Sequence, residues 1–287
     1  MVPTGLGEPM ARGIGRALAV GMRSRRTMIA RHLQRAAGGT YDDRQLDRAV
    51  LGAFDSYARY WLEMFRLPHE PTLAIEQNFT VDGYEHIEAA LARGNGAIAA
   101  LPHLGGWEWA GAWMAKVKGQ RMLVVVEPVE PRELFEWFVE VRSAMGMEVV
   151  ALGDDTAARA TRALKDNRVV CLVSDRDLTG DGVDVEFFGE RTSLPAGAAT
   201  LALRTGAPIL PVAVYFGRGR RHHGVVRPPL DTHRGEGRLR ADVERITQDL
   251  AHEFENLIRT APEQWHLMQP NWPSDYQFLD RSGSAAE

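Results

Sequence analysis

The sequence predicts an α/β fold: a single domain with a mostly parallel central sheet flanked by helices, behind a helical N-terminal layer. Three observations carry that expectation. The apolar runs "AIAALPH", "RMLVVVEP", "EVVALG", "RVVCLVSD" and "PILPVAVY" are nearly continuous, as strands covered on both faces are. Helical segments near 106–117, 131–145, 154–166 and 195–205 alternate with them, the rhythm of a parallel sheet. The 287 residues contain neither an internal repeat nor a linker long enough to require a second domain.

In chain order, residues 1–39 come first, with seven arginines (Arg12, Arg16, Arg23, Arg25, Arg26, Arg31, Arg35) against one acid, Glu8. Ile14, Leu18, Met22, Ile29 and Leu33 recur among them at roughly helical spacing. A basic amphipathic helix of this kind either lies on an anionic membrane surface or packs against the domain as a solvated helix. The main domain spans residues 40–275. It begins with an amphipathic helix over 42–68, with Leu46, Val50, Phe54, Tyr57, Trp61, Met64 and Phe65 on one stripe and Pro68 as its stop. "GYEHIEAALARGNG" reads as a second helix ending in a glycine-rich turn. "VDVEFFG" and "HHGVVRPPL" add strands without a full helix before each, and 238–262 reads as a long closing helix. Residues 276–287 read as a flexible tail.

Composition bounds the function. A net charge of −4 argues against general nucleic-acid binding, which needs a basic surface. Cys171, the single cysteine, excludes an internal disulfide framework and suits a reducing compartment; within "RVVCLVSD" it reads as a small buried hydrophobe. No stretch reaches the roughly 18 apolar residues of a spanning helix, and "GRALAVGM" is too short for a secretory core, so the default address is the cytoplasm. The chain has no phosphate-binding P-loop, no strand-coupled Gly-x-Gly-x-x-Gly and no Gly-x-Ser-x-Gly. Nucleotide hydrolysis, dinucleotide redox chemistry and serine esterase chemistry are disfavoured accordingly.

"LPHLGGWEWAG" (101–111) carries the chemistry. His103 closes the first buried strand, and in open parallel sheets ligands bind outside the carboxyl ends of strands. Gly105 and Gly106 permit a tight turn, and Glu108 falls in the first turn of the next helix, where the helix dipole favours a carboxylate. Folded back across the turn, Glu108 would accept a hydrogen bond from one imidazole nitrogen and leave the other free to take a proton. A histidine oriented by a carboxylate is a general base suited to neutral pH. The residue types alone leave a rival: a core histidine beside a helix-capping glutamate.

His-x4-Glu after a buried strand resembles the glycerolipid acyltransferase superfamily, including the bacterial lysophospholipid and lipid A acyltransferases. Residues 174–215, "SDRDLTGDGVDVEFFGERTSLPAGAATLALRTGAPILPVAVY", resemble the later blocks of the lipid A branch in the same order. With "GGWEWAG" and "PEQWHLMQPNW" (262–272), the likeness is strongest to actinobacterial phosphatidylinositol mannoside acyltransferases, over about residues 40–275. The Pro-Glu-Gly-Thr-Arg-Ser block of the glycerol-phosphate branch is missing, so phosphate binding through that motif is not assumed. The resemblance implies transfer of a fatty acyl group, expected to be palmitoyl, from acyl-CoA to a mannose hydroxyl of a membrane glycolipid. His103 would deprotonate the hydroxyl and Glu108 would hold the ring. No cofactor or metal is implied; acyl-CoA is a co-substrate. A peripheral location on the cytoplasmic face of the inner membrane follows from such an acceptor. The alternatives are a lipid A precursor or lysophospholipid as acceptor, or a catalytically silent lipid-binding protein of the same fold.

Other residues divide between chemistry and structure. "SDRDLTGD" ends another strand and so puts Asp175, Arg176 and Asp177 on the rim of His103. The resemblance places an acidic functional residue near Asp175, whereas an Asp-Arg-Asp cluster can also be a surface ion-pair network; Asp177 stays undecided. Counted from Asp175 the stretch imitates an EF-hand loop, but strands rather than helices flank it. Arg142, Arg176, Arg191 and Arg204 are candidates for the anionic parts of acyl-CoA or the lipid. With 31 arginines against three lysines, each alone is a weak pointer. His222 and His223 read as solvated turn residues in the basic hairpin tip "GRGRRHHG", and Trp107, Trp109 and Trp113 as packing around the active-site helix.

Overall fold

A computed structural model describes Gly13 and residues 21–282. Arg12, Ile14, Arg16 and Leu18 lie outside the described residues. The chain runs α1 (Arg23–Ala36), α2 (Asp43–Arg66), α3 (Thr72–Gln77), β1 (Phe79–Asp82), α4 (Tyr84–Ala92), β2 (Ala97–Leu101), α5 (Trp107–Lys116), β3 (Met122–Val126), α6 (Arg132–Ala144) and β4 (Glu148–Ala151). It continues through α7 (Thr156–Lys165), β5 (Val169–Val173), β6 (Val183–Phe187), β7 (Glu190–Leu194), α8 (Gly197–Thr205), β8 (Ile209–Phe216), β9 (His222–Val226), α9 (Leu239–Thr260) and α10 (Pro273–Ser282).

Seven strands form the central sheet in the order β1-β9-β8-β2-β5-β3-β4. β8, β2, β5, β3 and β4 are parallel, as their continuous apolar runs require. β9 returns antiparallel to β8 because residues 217–221 make only a hairpin tip, too short for a crossover. β1 is a four-residue edge strand beside β9, and β6 and β7 form a separate antiparallel hairpin. β1 and β7 escape the sequence pattern: "FTVD" is too short to show a period, and "ERTSL" is largely polar.

Helices cover both faces. On one, α7, α8, α9 and the β6–β7 hairpin enclose a core that includes Ile98, Val170, Phe187, Phe254, Trp265 and Trp272. On the other, α3, α4 and α5 enclose Ile75, Ala99, Trp109, Trp113, Met122 and Leu210. α2 opens on a capping box: Asp42 accepts from the Gln45 amide at 2.8 Å, and Gln45 accepts from the Asp42 amide at 2.9 Å. It ends where Pro68 makes the helix tighten into a 3₁₀ turn.

The described part of the basic N-terminal segment packs against the domain. Ile29 and Leu33 are buried with Val50, Ala53 and Phe54 of α2 and with Met268, so this part of the stripe is not open to lipid. α1 also grips the C-terminal segment. Asp275, with no accessible surface, accepts from Arg31 (2.7 Å) and Arg35 (2.8 Å) and meets the His32 ring at 3.2 Å. Those partners hold its carboxyl far below the usual range against the opposing effect of burial. Residues 276–282, read from sequence as part of a flexible tail, continue α10, with Leu279 buried. Among the described residues, no helix is long and apolar enough to cross a membrane.

Candidate active site

Two adjacent strands build the site. β2 and β5 are parallel and in register, with Leu101 opposite Val173. Each chain then runs two residues past that pair, to His103 and to Asp175, so the two side chains arrive level on the same rim. His103 Nδ1 lies 2.6 Å from Asp175 Oδ1, and the His103 amide donates to Oδ2 at 3.0 Å. The Trp265 indole N–H donates to the same Oδ2 at 2.7 Å. Asp175 is fully buried, while 40% of the His103 side chain is accessible.

The electrostatics follow from this geometry. Burial pushes the Asp175 carboxyl up, but His103 and the indole donor hold it below the usual range. Burial works against a charged His103 ring, yet the Asp175 carboxylate outweighs it and raises the ring above its ordinary value; Arg176 stands near enough to oppose the rise. An ionised carboxylate only accepts, so Nδ1 carries the proton toward Asp175 and Nε2 keeps its lone pair. Such an arrangement can act as an oriented base through Nε2.

Glu108 does not orient the ring. It sits in the first turn of α5 as the sequence implies, but Oε1 accepts from the Tyr60 hydroxyl at 2.6 Å and from Arg142 at 3.0 Å, and Oε2 has no partner. Burial raises its carboxyl above the ordinary value despite Arg142 and Tyr60. The physical reason is topological. The α5 helix aims Glu108 at α2 and α6, whereas the strand ends aim His103 at its neighbour in the sheet.

The glycines do what the turn demands. Gly105 has φ +61°, and a Cβ there would lie 1.9 Å from the Val214 carbonyl oxygen. At Gly106 a Cβ would strike Phe216 and His222. The room they leave is filled by the protein itself.

The four candidate arginines separate. Arg142 is buried, paired with Glu108 and placed over the rings of Trp107 (4.8 Å) and Phe138 (4.9 Å), so it is not free for a phosphate. Arg176 is half-buried beside His103. Arg191 is exposed on the hairpin, across from Glu186. Arg204 ends α8, which leads into the start of β8, so it stands on the rim opposite His103.

Asp177 is a loop cap. Its oxygens accept from the amides of Thr179, Gly180 and Gly182 and from Ser193, leaving none for the EF-hand role its position imitates. Among the described residues no cluster of His, Cys, Asp or Glu could hold a metal ion. His222 is not a solvated turn residue: it is buried, stacked on Trp109 at 4.3 Å and bonded to Glu63 at 2.6 Å. His223 does stand half-exposed, against Thr80 and Asp82. Trp109 and Trp113 pack in the core as expected.

Sequence reasoning missed Trp265, Tyr60 and His266. Trp265 and His266 lie inside "PEQWHLMQPNW", which carried resemblance but no assigned role; Tyr60 falls beside the apolar stripe of α2, where its neighbours give it no chemical signal. The His266 amide donates to the His103 carbonyl at 2.7 Å, and burial together with the nearby His103 lowers the His266 ring to about 3. It is a neutral neighbour that does not compete for the proton.

Between the sheet and α4 and α5 runs an apolar slot, lined by neighbours of His103 in the chain and not by His103 or Asp175. Its walls include Leu101, Trp107, Ala110, Met147, Cys171 and Gly224, and they leave a narrow cavity of about 50 Å³. Leu101 and Trp107 bracket His103 in sequence. Burial pushes the Cys171 thiol up to about 12, so it is part of an inert wall.

An imidazole–carboxylate pair at the carboxyl rim of a parallel sheet suits base-assisted acyl transfer, and Leu101 and Trp107, which flank His103 in the chain, line an apolar slot. The model of the bacterial lipid A biosynthesis acyltransferase family matches residues 1–274, and the chain belongs to that family: it is an acyltransferase. Over 253 residues it is 41% identical to the phosphatidylinositol mannoside acyltransferase of Mycolicibacterium smegmatis, across 86% of this chain and 79% of that one. Its identity to the protein of the same name from Mycobacterium tuberculosis is also 41%, over 234 residues, 80% of this chain and 72% of that one.

Proposed function

We propose that this acyltransferase moves a palmitoyl group from acyl-CoA to a mannose hydroxyl of a phosphatidylinositol mannoside. The observation that carries this reading is His103, held through Nδ1 by a buried carboxylate with its ring accessible, on a loop whose flanking residues Leu101 and Trp107 line an apolar slot. His103 Nε2 takes the proton of the mannose hydroxyl. The oxygen attacks the thioester carbonyl, the C–S bond breaks, and the departing CoA thiolate takes up the proton from the imidazolium. A thiolate is a good leaving group, so one base suffices. Asp175 stabilises the imidazolium while it lasts. Glu108 acts at one remove, tying α5 to α2 through Tyr60 and to α6 through Arg142. The similarity to named phosphatidylinositol mannoside acyltransferases supports the acceptor.

The test is transfer from radiolabelled palmitoyl-CoA to phosphatidylinositol mannoside, with the product identified by mass spectrometry. A product one palmitoyl heavier on the mannose supports the reading; acylation of lysophospholipid or a lipid A precursor alone overturns the acceptor.

The slot is the place for the acyl chain, where each methylene removed from water contributes about 0.8 kcal/mol. Ala110→Phe narrows it behind Trp107. We expect kcat/KM for palmitoyl-CoA to fall about tenfold relative to octanoyl-CoA, a short chain that leaves the deeper slot empty. An equal loss with both donors would place the chain elsewhere.

The acceptor is a membrane lipid, so the enzyme works peripherally on the cytoplasmic face of the inner membrane, where the charge of Arg12 and Arg16 adds attraction to anionic headgroups. Truncation tests this only if it spares Arg31, His32 and Arg35, which anchor Asp275 and Ser274. Deleting residues 1–20 is expected to weaken co-sedimentation with anionic vesicles while leaving transfer to detergent-dispersed acceptor unchanged. Undiminished vesicle binding would remove this segment from the account.

A further inference from the structure

We infer that Trp265 is a positioning residue of the transfer reaction, the third member of a relay in which its indole N–H fixes the Asp175 carboxylate that orients His103. The inference rests on the reading of His103 as the base.

The geometry gives each Asp175 oxygen a separate task. Oδ1 faces His103 Nδ1 alone, while Oδ2 takes two donors, the His103 amide and Trp265 Nε1. Without the indole, the plane of the carboxylate is fixed by one backbone amide and by the ring it is meant to orient. The indole cannot turn away. Trp265 is buried, with ring contacts to Phe187 (6.0 Å), Phe188 (5.6 Å) and His32 (5.6 Å).

The backbone around it is tied to the same loop. Gly105 donates to the Gln264 carbonyl at 2.9 Å, His266 donates to the His103 carbonyl at 2.7 Å, and Leu104 and Trp265 form an antiparallel bridge. Further along the segment, Asn271 donates to the Asp175 carbonyl at 3.1 Å. The stretch 264–271 is therefore a strap that clamps both the base and its carboxylate. A tryptophan serving only to fill the core would need no donor aimed at the one carboxylate touching the base.

The direction of the effect follows. A donor on Oδ2 draws charge from the carboxylate and moderates its hold on the imidazolium. Removing it strengthens that hold, so His103 stays protonated to higher pH, and it loosens the orientation of the ring.

The experiment compares full-length wild type with His103→Ala, Trp265→Phe, Asp175→Ala and the Trp265→Phe/Asp175→Ala double variant, by pH-dependent transfer kinetics. Trp265→Phe is expected to lower kcat about tenfold, as loss of a hydrogen bond to a charged group does. KM for either substrate should stay nearly constant, and the acid limb should move to higher pH. In the Asp175→Ala background the same change should have no further effect, since its target is gone. Should Trp265→Phe fold poorly, benzothienylalanine at position 265 keeps the ring shape, replaces N–H with sulfur and should give the same loss and the same shift. A wild-type limb in either replacement, or an equal fractional loss with and without Asp175, overturns the inference. Transfer by His103→Ala would instead overturn the base itself, so the two failures are distinct.

Discussion

His103→Ala is expected to lower kcat for acyl transfer by about 10³-fold, within the range that general-base catalysis supplies. KM for palmitoyl-CoA should change little, because the proposal seats the acyl chain in the slot and not against the ring. The substitution removes a side chain with 40% of its surface accessible, so it leaves no large cavity and stability should be close to wild type. It also strips Asp175 of its ring partner, but the His103 amide and Trp265 remain as donors to its other oxygen. Circular dichroism and thermal melting check the fold, and radiolabelled transfer checks the chemistry. Activity within a few-fold of wild type in a folded variant would mean that another group takes the proton.

Asp175→Asn is expected to cost about 10²-fold in kcat, for a reason the donors around it dictate. The His103 amide and Trp265 both point at Oδ2, so the asparagine carbonyl must occupy that place and its NH₂ must face His103 Nδ1. The ring then has to accept at Nδ1 and carry its proton on Nε2, the wrong tautomer for a base. The pH profile moves as well. In the wild type Asp175 raises the ring above its ordinary value, so the acid limb of kcat/KM should lie above about pH 6.5. Activity requires the neutral ring and is lost as pH falls through that limb. Without the carboxylate charge the limb moves to lower pH, even as the maximum falls. Glu108→Gln keeps an acceptor for Tyr60 and Arg142 and should leave the limb in place. A shifted limb in Glu108→Gln and an unshifted one in Asp175→Asn would reverse the roles assigned to the two acids.

How the two acids divide shows what a sequence carries and what it withholds. The strand runs are legible because a strand buried on both faces must be apolar throughout, and β2, β3, β5 and β8 stand where their runs place them, as does β4, which lies at the sheet edge. His103 is legible for the same reason: a polar side chain closing such a run lies at a rim where ligands bind. Its partner is not legible from spacing. His103 and Glu108 are five residues apart and look like neighbours, while His103 and Asp175 are 72 apart and are neighbours. The choice depends on β2 lying beside β5, and strand order is a property of the assembled sheet. Trp265 is harder still, because its donor reaches Asp175 only after the strap crosses the catalytic loop. His222 misleads in the opposite direction. Its basic, glycine-rich surroundings look solvated, yet Trp109 and Glu63 give it a buried place with a stacking face and a bonded nitrogen.

The central claim is that one imidazole nitrogen works at the mouth of the apolar slot on a thioester carried there by its acyl chain. A crystal structure of the full chain with a nonreactive thioether analogue of palmitoyl-CoA tests it directly. The account predicts the sulfur beside His103 Nε2, the tail between the sheet and α5 past Ala110 and Met147, and Nδ1 still bonded to Asp175. A tail lodged outside the slot, or a sulfur out of reach of His103 with the ring unmoved, would contradict it.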